Sequence, residues 1–143
     1  MRLSYRIVLA TLAALALVAP AGPVAAGAAG AAAPVIVLKN KQFGSVLATR
    51  GNRALYYWNV EARAGGKVRC TGQCAKDWPP LIVRAAAAVP SRVPGIKGTF
   101  SVIKRPDGKL QVTHNRLPVY TYAHEGPNQV LCNNVNGWFV VRV

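Results

Sequence analysis

The sequence predicts one small antiparallel β domain over residues 35–143, a sandwich or partly open barrel built from two related halves. Three observations predict it. Apolar and β-branched residues recur with a period near two, the period at which strand side chains return to one face. Turn formers, Arg50-Gly51-Asn52 and Pro106-Asp107-Gly108, divide these runs at hairpin spacing. The stretch "LYYWNVE" at 55–61 is echoed by "VYTYAHE" at 119–125, an offset of 64 residues that places two of the chain's four acids at matching positions.

The elements follow in order. Residues 1–26 carry Arg2 and Arg6, an apolar stretch over 7–18 and small residues at Val24-Ala25-Ala26, the layout of a secretory signal peptide. That apolar stretch falls short of the roughly 20 residues a spanning helix needs, and Pro20 and Pro23 interrupt its extension. The first cysteine is Cys70, so no lipid attachment is expected at the cleavage site. The mature protein is therefore read as secreted, extracytoplasmic and not lipid-anchored. Residues 27–34 are an Ala/Gly/Pro-rich tether, and residues 35–38 a short strand. Residues 44–59 read as two strands around Arg50-Gly51-Asn52, and 99–114 as a hairpin around Pro106-Asp107-Gly108. "LPVYTYAH" and "GWFVVRV" supply two more strands, rich in β-branched and aromatic residues. At most one short helix is expected, a turn or so over residues 72–77 stopped by Pro79.

Charge narrows the partners. The chain has 18 Lys and Arg against 4 acids, and loss of Arg2 and Arg6 leaves 16 against 4, a mature charge of +12. Such an excess attracts polyanions: cell-wall polymers, an anionic lipid surface or nucleic acid. The basic residues are scattered, without a run of five and without an RNP or zinc-finger pattern, so specific nucleic-acid recognition is not expected.

The cysteines admit several chemistries. "RCTGQCAKDWPP" at 69–80 spaces Cys70 and Cys74 four apart, which excludes the Cys-x-x-Cys-His of haem attachment and the Cys-x-x-Cys of thioredoxin-like couples. Cys70, Cys74 and Cys132 with His114 and His124 hold enough ligands for zinc, but an oxidising compartment favours a disulfide, and no metal is expected. The expected bridge is Cys70–Cys74, because one helical turn brings such Cα atoms to about 6 Å. Cys132 is left free, able to pair between molecules. The chain-entropy gain is about 2 kcal/mol for this short loop, against about 4 kcal/mol for a bridge to Cys132, and does not fix the pairing. In this reading Trp78 packs into the core and Pro79-Pro80 stiffens the exit from the clamp.

The repeated corners carry the remaining signal. Tyr56 and Trp58 share one face of a strand, as do Tyr120 and Tyr122, while Glu61 and Glu125 fall just past the strand ends. Two readings stand. The aromatics pack inward while each acid pins the following loop, or the two corners form a ligand groove.

These residues bring a family into view. The chain from about residue 43 onward resembles the bacterial secreted-repeat family of predicted lipoproteins with a Tyr-x-(Phe/Trp/Tyr)-x-x-Asp motif. The resemblance rests on "GSVLATRGNRALYYWNVE", "CTGQCAKDWPPL", "RPDGKLQVTHNRLPVYTYAHE" and "NGWFVV". It implies an extracytoplasmic β-rich domain and no particular reaction. Three features depart from the pattern: Glu61 and Glu125 stand in place of Asp, no lipid-attachment cysteine is present, and Cys132 occupies a loop that is Gly-rich in the family.

Catalysis needs a positioned base, acid or nucleophile, and two Asp, two Glu and two His are a thin inventory. Asp107 is explained by its turn, Asp77 as a partner for Arg or Lys, and His114 and His124 as surface or hydrogen-bonded residues. No enzyme activity and no cofactor are expected. The leading expectation is a secreted, non-catalytic domain that binds or structures something at the bacterial cell surface. One alternative is redox or thiol-exchange work by Cys70 and Cys74. A second is binding of a polyanion, a cell-wall polymer or nucleic acid, through the +12 mature charge.

Overall fold

The computed structural model describes residues 32–143. The expected signal peptide and most of the tether lie outside the described residues. Asn40 sets the first turn: its side-chain oxygen accepts from the amides of Gln42 and Phe43, an Asx-type closure that competes well with continued strand. It joins β1 (Val35–Asn40) to β2 (Gly44–Thr49) as an antiparallel pair in the register Val35↔Thr49 to Asn40↔Gly44. The second hairpin, β5 (Phe100–Lys104) with β6 (Leu110–His114), turns at Pro106-Asp107-Gly108 as the sequence predicts. There Gly108 takes φ +81° and the Asp107 carboxylate accepts from the Lys109 amide. Short β3 (Tyr56–Trp58) pairs with β8 (Trp138–Val140), while β4 (Ile82–Val83) and β7 (Leu117–Pro118) flank β6. The domain is mainly antiparallel β, in small sheets that do not close into a barrel.

Two local expectations are corrected, the number of helices and the length of the strand in "LPVYTYAH". Two short α-helices are present rather than one: α1 (Asn59–Arg63) as well as α2 (Gln73–Asp77). Glu61, Ala62 and Arg63 are good helix formers and continue directly from β3, so Glu61 sits in a helical turn instead of a loop. Strands β2 and β3 flank Arg50-Gly51-Asn52 as expected; the full ladder of β2 is with β1, and β2 meets the stretch just beyond the turn through Thr49 N–H to Arg53 O (2.9 Å), the bridge Ala48↔Ala54 and Leu55 N–H to Leu47 O (2.8 Å). "LPVYTYAH" is regular strand only at Leu117–Pro118, because Tyr120 spends its backbone groups on bridges to Tyr56 and Pro80.

The apolar runs make a central layer buried on both faces. Val46, Ala48, Ala54, Tyr56, Tyr120 and Val140 face one core cluster. Their neighbours Leu47, Leu55, Val119 and Val141 face another. Two matching rings of backbone hydrogen bonds hold this layer. In the first, Leu47 N–H donates to Val141 O (2.8 Å), Leu55 N–H to Leu47 O (2.8 Å) and Val141 N–H to Leu55 O (2.9 Å). In the second, Val112 N–H donates to Leu81 O (2.9 Å), Val119 N–H to Val112 O (3.2 Å) and Leu81 N–H to Val119 O (3.0 Å). Reciprocal bonds between Tyr56 and Tyr120, 2.8 and 2.9 Å, join the rings. Leu81, which follows the first hairpin in sequence, completes the ring of the second. Val141, at the far end, completes the ring of the first.

Candidate functional site

The two Tyr–aromatic–Glu corners meet at the join between the rings, and each acid serves the other half's tyrosine. Tyr120 donates its hydroxyl to Glu61 Oε1 at 2.7 Å, and Tyr56 donates to Glu125 Oε2 at 2.5 Å. Both carboxylates are buried, Glu61 at 0% and Glu125 at 3% exposure. Glu61 Oε1 also accepts from the amides of Arg69 (2.7 Å) and Cys70 (3.0 Å), and Glu125 Oε2 from that of Leu131 (2.9 Å). The acids therefore pin the loops that follow them. Tyr56, Tyr120, Glu61 and Glu125 present no open groove. Burial, reinforced by the carboxylate beside it, raises each tyrosine hydroxyl well above the ordinary tyrosine range. Both phenols stay protonated donors.

The aromatic rings repeat this correspondence. Trp78 and Trp138 stack face to face at 3.9 Å between centroids. Tyr56 meets Trp78 edge-on as Tyr120 meets Trp138, at 5.4 and 5.2 Å. Outside them, Trp58 lies against Trp138 (5.3 Å) and Tyr122 against Trp78 (4.7 Å), with exposed His124 beyond Tyr122. Trp58 and Tyr122, unlike the other corner residues, retain partial exposure.

Burial is the first reason the Glu125 carboxyl titrates above its ordinary 4.5, against lowering by Tyr56, the Leu131 amide and the Arg53 charge. A raised folded value means the native state keeps a proton the unfolded chain has released. Stability from this group is thus full below the ordinary value and lost as pH rises through the window up to the folded one. Thermal melts across that window are expected to show the fall in the native protein and to flatten in Glu125→Gln. An unchanged slope in that variant contradicts the assignment.

Cys70 and Cys74 form the disulfide, with Cα atoms 5.2 Å apart across the start of α2, and Cys132 is free. Trp78 packs in the core beyond the clamp, Pro79 O accepts from the Thr121 amide, and Pro80 bridges to Tyr120. Cys132 borders a cavity of about 360 Å³ with Asp77, Trp78, Tyr122, His124 and Trp138. Burial, then the Glu125 charge, pushes its thiol up. Since the thiolate is the nucleophile, such a thiol reacts slowly at neutral pH. Alkylation of unreduced protein followed by peptide mapping is expected to label Cys132 alone, and slowly. Label on Cys70 or Cys74 overturns the pairing.

The remaining polar residues fall elsewhere. Asp77 is not the ion-pair partner expected of it; its carboxylate accepts from Gln73 at 3.2 Å, one helical turn away. The ion pair among the described residues joins Arg105 to Asp107, at 3.7 Å from Nε. His114 is buried, its Nε2 2.8 Å from Lys97 O and its ring against Phe100. Arg105 is the residue that sequence reasoning missed. It is 3% exposed, and donates to Gln111 Oε1 (2.6 Å) and Cys70 O (2.8 Å). Its place directly before a hairpin turn gives no periodic signal of burial.

No family model, curated protein or solved structure matches the chain. The family resemblance rests on its motifs alone.

Proposed function

We propose that this chain is a secreted, non-catalytic β domain that acts by binding at the bacterial cell surface, with anionic polymers as its class of ligand. The observation that carries the reading is the division of charge between core and surface. Two of the four acids, Glu61 and Glu125, are sealed in the core and committed to tyrosines and loop amides. The surface then offers Asp77 and Asp107 against fifteen Lys and Arg, all those of the described residues except buried Arg105. The outside is thus more cationic than the composition alone implies. Charge of one sign over a small surface attracts polyanions without a sequence code. The secretory layout and the secreted-repeat resemblance favour an envelope polymer as the source of that charge.

Binding to poly(glycerol phosphate), measured calorimetrically from low to physiological salt, tests this. Affinity is expected to fall steeply, by roughly 0.7 in log units per phosphate contact for each log unit of salt. Indifference to salt sinks the reading. Redox work by Cys70 and Cys74 gains no support from the geometry, since Cys70 is fully buried and the free thiol is held protonated.

A further inference from the structure

The proposed binding has a place on the fold, and this inference rests on that reading. Two cavities, about 510 and 550 Å³, adjoin at Arg105 and Pro106 on the outer side of the second hairpin. Lys67 and Lys104 border the first; Lys76 and Lys109 border the second. All four lysines are exposed. Their side chains make no hydrogen bond or ion pair with the described residues. They come from two separate stretches, the loop and helix after α1 and the β5–β6 hairpin, so only the fold assembles them.

Arg105 forms the floor common to both cavities. Two of its three nitrogens are committed to Gln111 and Cys70, but Nε is buried without a hydrogen-bond acceptor. The nearest acid is half-exposed Asp107, at ion-pair distance and too far to accept a hydrogen bond. An uncommitted guanidinium N–H under a ring of free ammonium groups is a donor set for an oxyanion, with Asp107 as the internal anion that an incoming group displaces.

We propose that this strip, Lys67, Lys104, Lys76 and Lys109 over Arg105, is the docking site for a linear phosphodiester polymer of the cell wall. Two features favour such a polymer over other polyanions. Neither cavity is lined by an aromatic ring, the platform on which single-stranded nucleic acids stack their bases. The exposed large apolar residues Val60, Ile82, Leu131 and Val135 border neither cavity, which leaves half-buried Val68 and Ile103 as the larger aliphatic side chains there, without the exposed apolar anchor that a lipid surface takes up.

The test compares two variants of equal charge. One replaces Lys67, Lys76, Lys104 and Lys109 by Ala. The other replaces Lys41, Arg84, Arg92 and Lys97, which are equally exposed and lie outside both cavities. Poly(glycerol phosphate) is titrated against each, with an oligothymidylate of matched charge and phosphatidylglycerol vesicles as comparison probes. The strip variant is expected to lose at least about tenfold in affinity, its salt slope dropping by roughly 0.7 for each lysine in contact. The control variant is expected to change by less than about threefold, and Asp107→Asn to bind more tightly than the native protein. Equal losses in the two variants overturn the site while leaving the polyanion reading standing. Tighter binding to the oligonucleotide or the vesicles overturns the ligand class. No binding of the native protein to any probe overturns both readings.

Discussion

Trp138→Ala is expected to destabilise the domain by about 3–5 kcal/mol, the range for deleting a large buried aromatic. Trp138 is 4% exposed and touches three rings at once, stacking on Trp78 and Trp58 and receiving the edge of Tyr120. Each aromatic pair adds roughly 0.5–1.5 kcal/mol beyond the area it buries. Truncation therefore removes three pair terms and leaves a cavity between the two halves. A domain of this size has about 5–15 kcal/mol in total, so the variant is left marginal. Trp58→Ala is the informative control. Trp58 lies at the open end of the stack, with one ring neighbour and an indole N–H donating to Asn136 O at 3.2 Å. Its loss is expected to be less than half as large. Urea midpoints with matched slopes measure both; equal destabilisation refutes the claim that the stack is centred on Trp138.

Glu61→Ala is expected to cost about 3–5 kcal/mol. The mechanism is different, because Glu61 Oε1 receives three donors, the Tyr120 hydroxyl and the amides of Arg69 and Cys70. Removing a shared acceptor leaves buried donors unpaired, at about 1–3 kcal/mol for each that water cannot reach. Glu61→Gln keeps an oxygen for all three. It replaces Oε2, which is buried without a partner, by an amide of nearly the same shape, so its effect is expected to stay below about 2 kcal/mol. Glu125→Ala loses two donors rather than three and is expected to fall between these variants. Should Glu125→Ala prove costlier than Glu61→Ala, counting hydrogen bonds does not explain how the corners work.

The β class, the 99–114 hairpin, the Cys70–Cys74 pair and the loop-pinning role of the two acids were legible from local signals. Period-two runs, Pro-Asp-Gly, the four-residue spacing of Cys70 and Cys74 and the repeated Tyr–aromatic–Glu stretch are each read over a few residues. The partners were not legible. The echo equates Tyr56 with Tyr120 and Glu61 with Glu125, but does not say that each tyrosine reaches across to the other copy's acid. Helix α1 escaped notice because five residues are too few to show a 3.6-residue period. The lysine strip escaped for a related reason. Lys67 and Lys76 are separated from Lys104 and Lys109 by a stretch with no charge run, and only the fold of the β5–β6 hairpin onto the loop after α1 brings them together.

The two backbone rings also dictate when the chain finishes folding. Leu47 emerges early in synthesis, yet its amide waits for Val141, and Tyr56 waits for Glu125, 69 residues on. Contacts of such sequence separation slow folding, since the intervening loop must be ordered before they form. The first half therefore has no complete structure of its own to adopt while the rest of the chain is still being made. The first ring is complete only once Val141, just past β8, pairs with both Leu47 and Leu55, two segments laid down long before it.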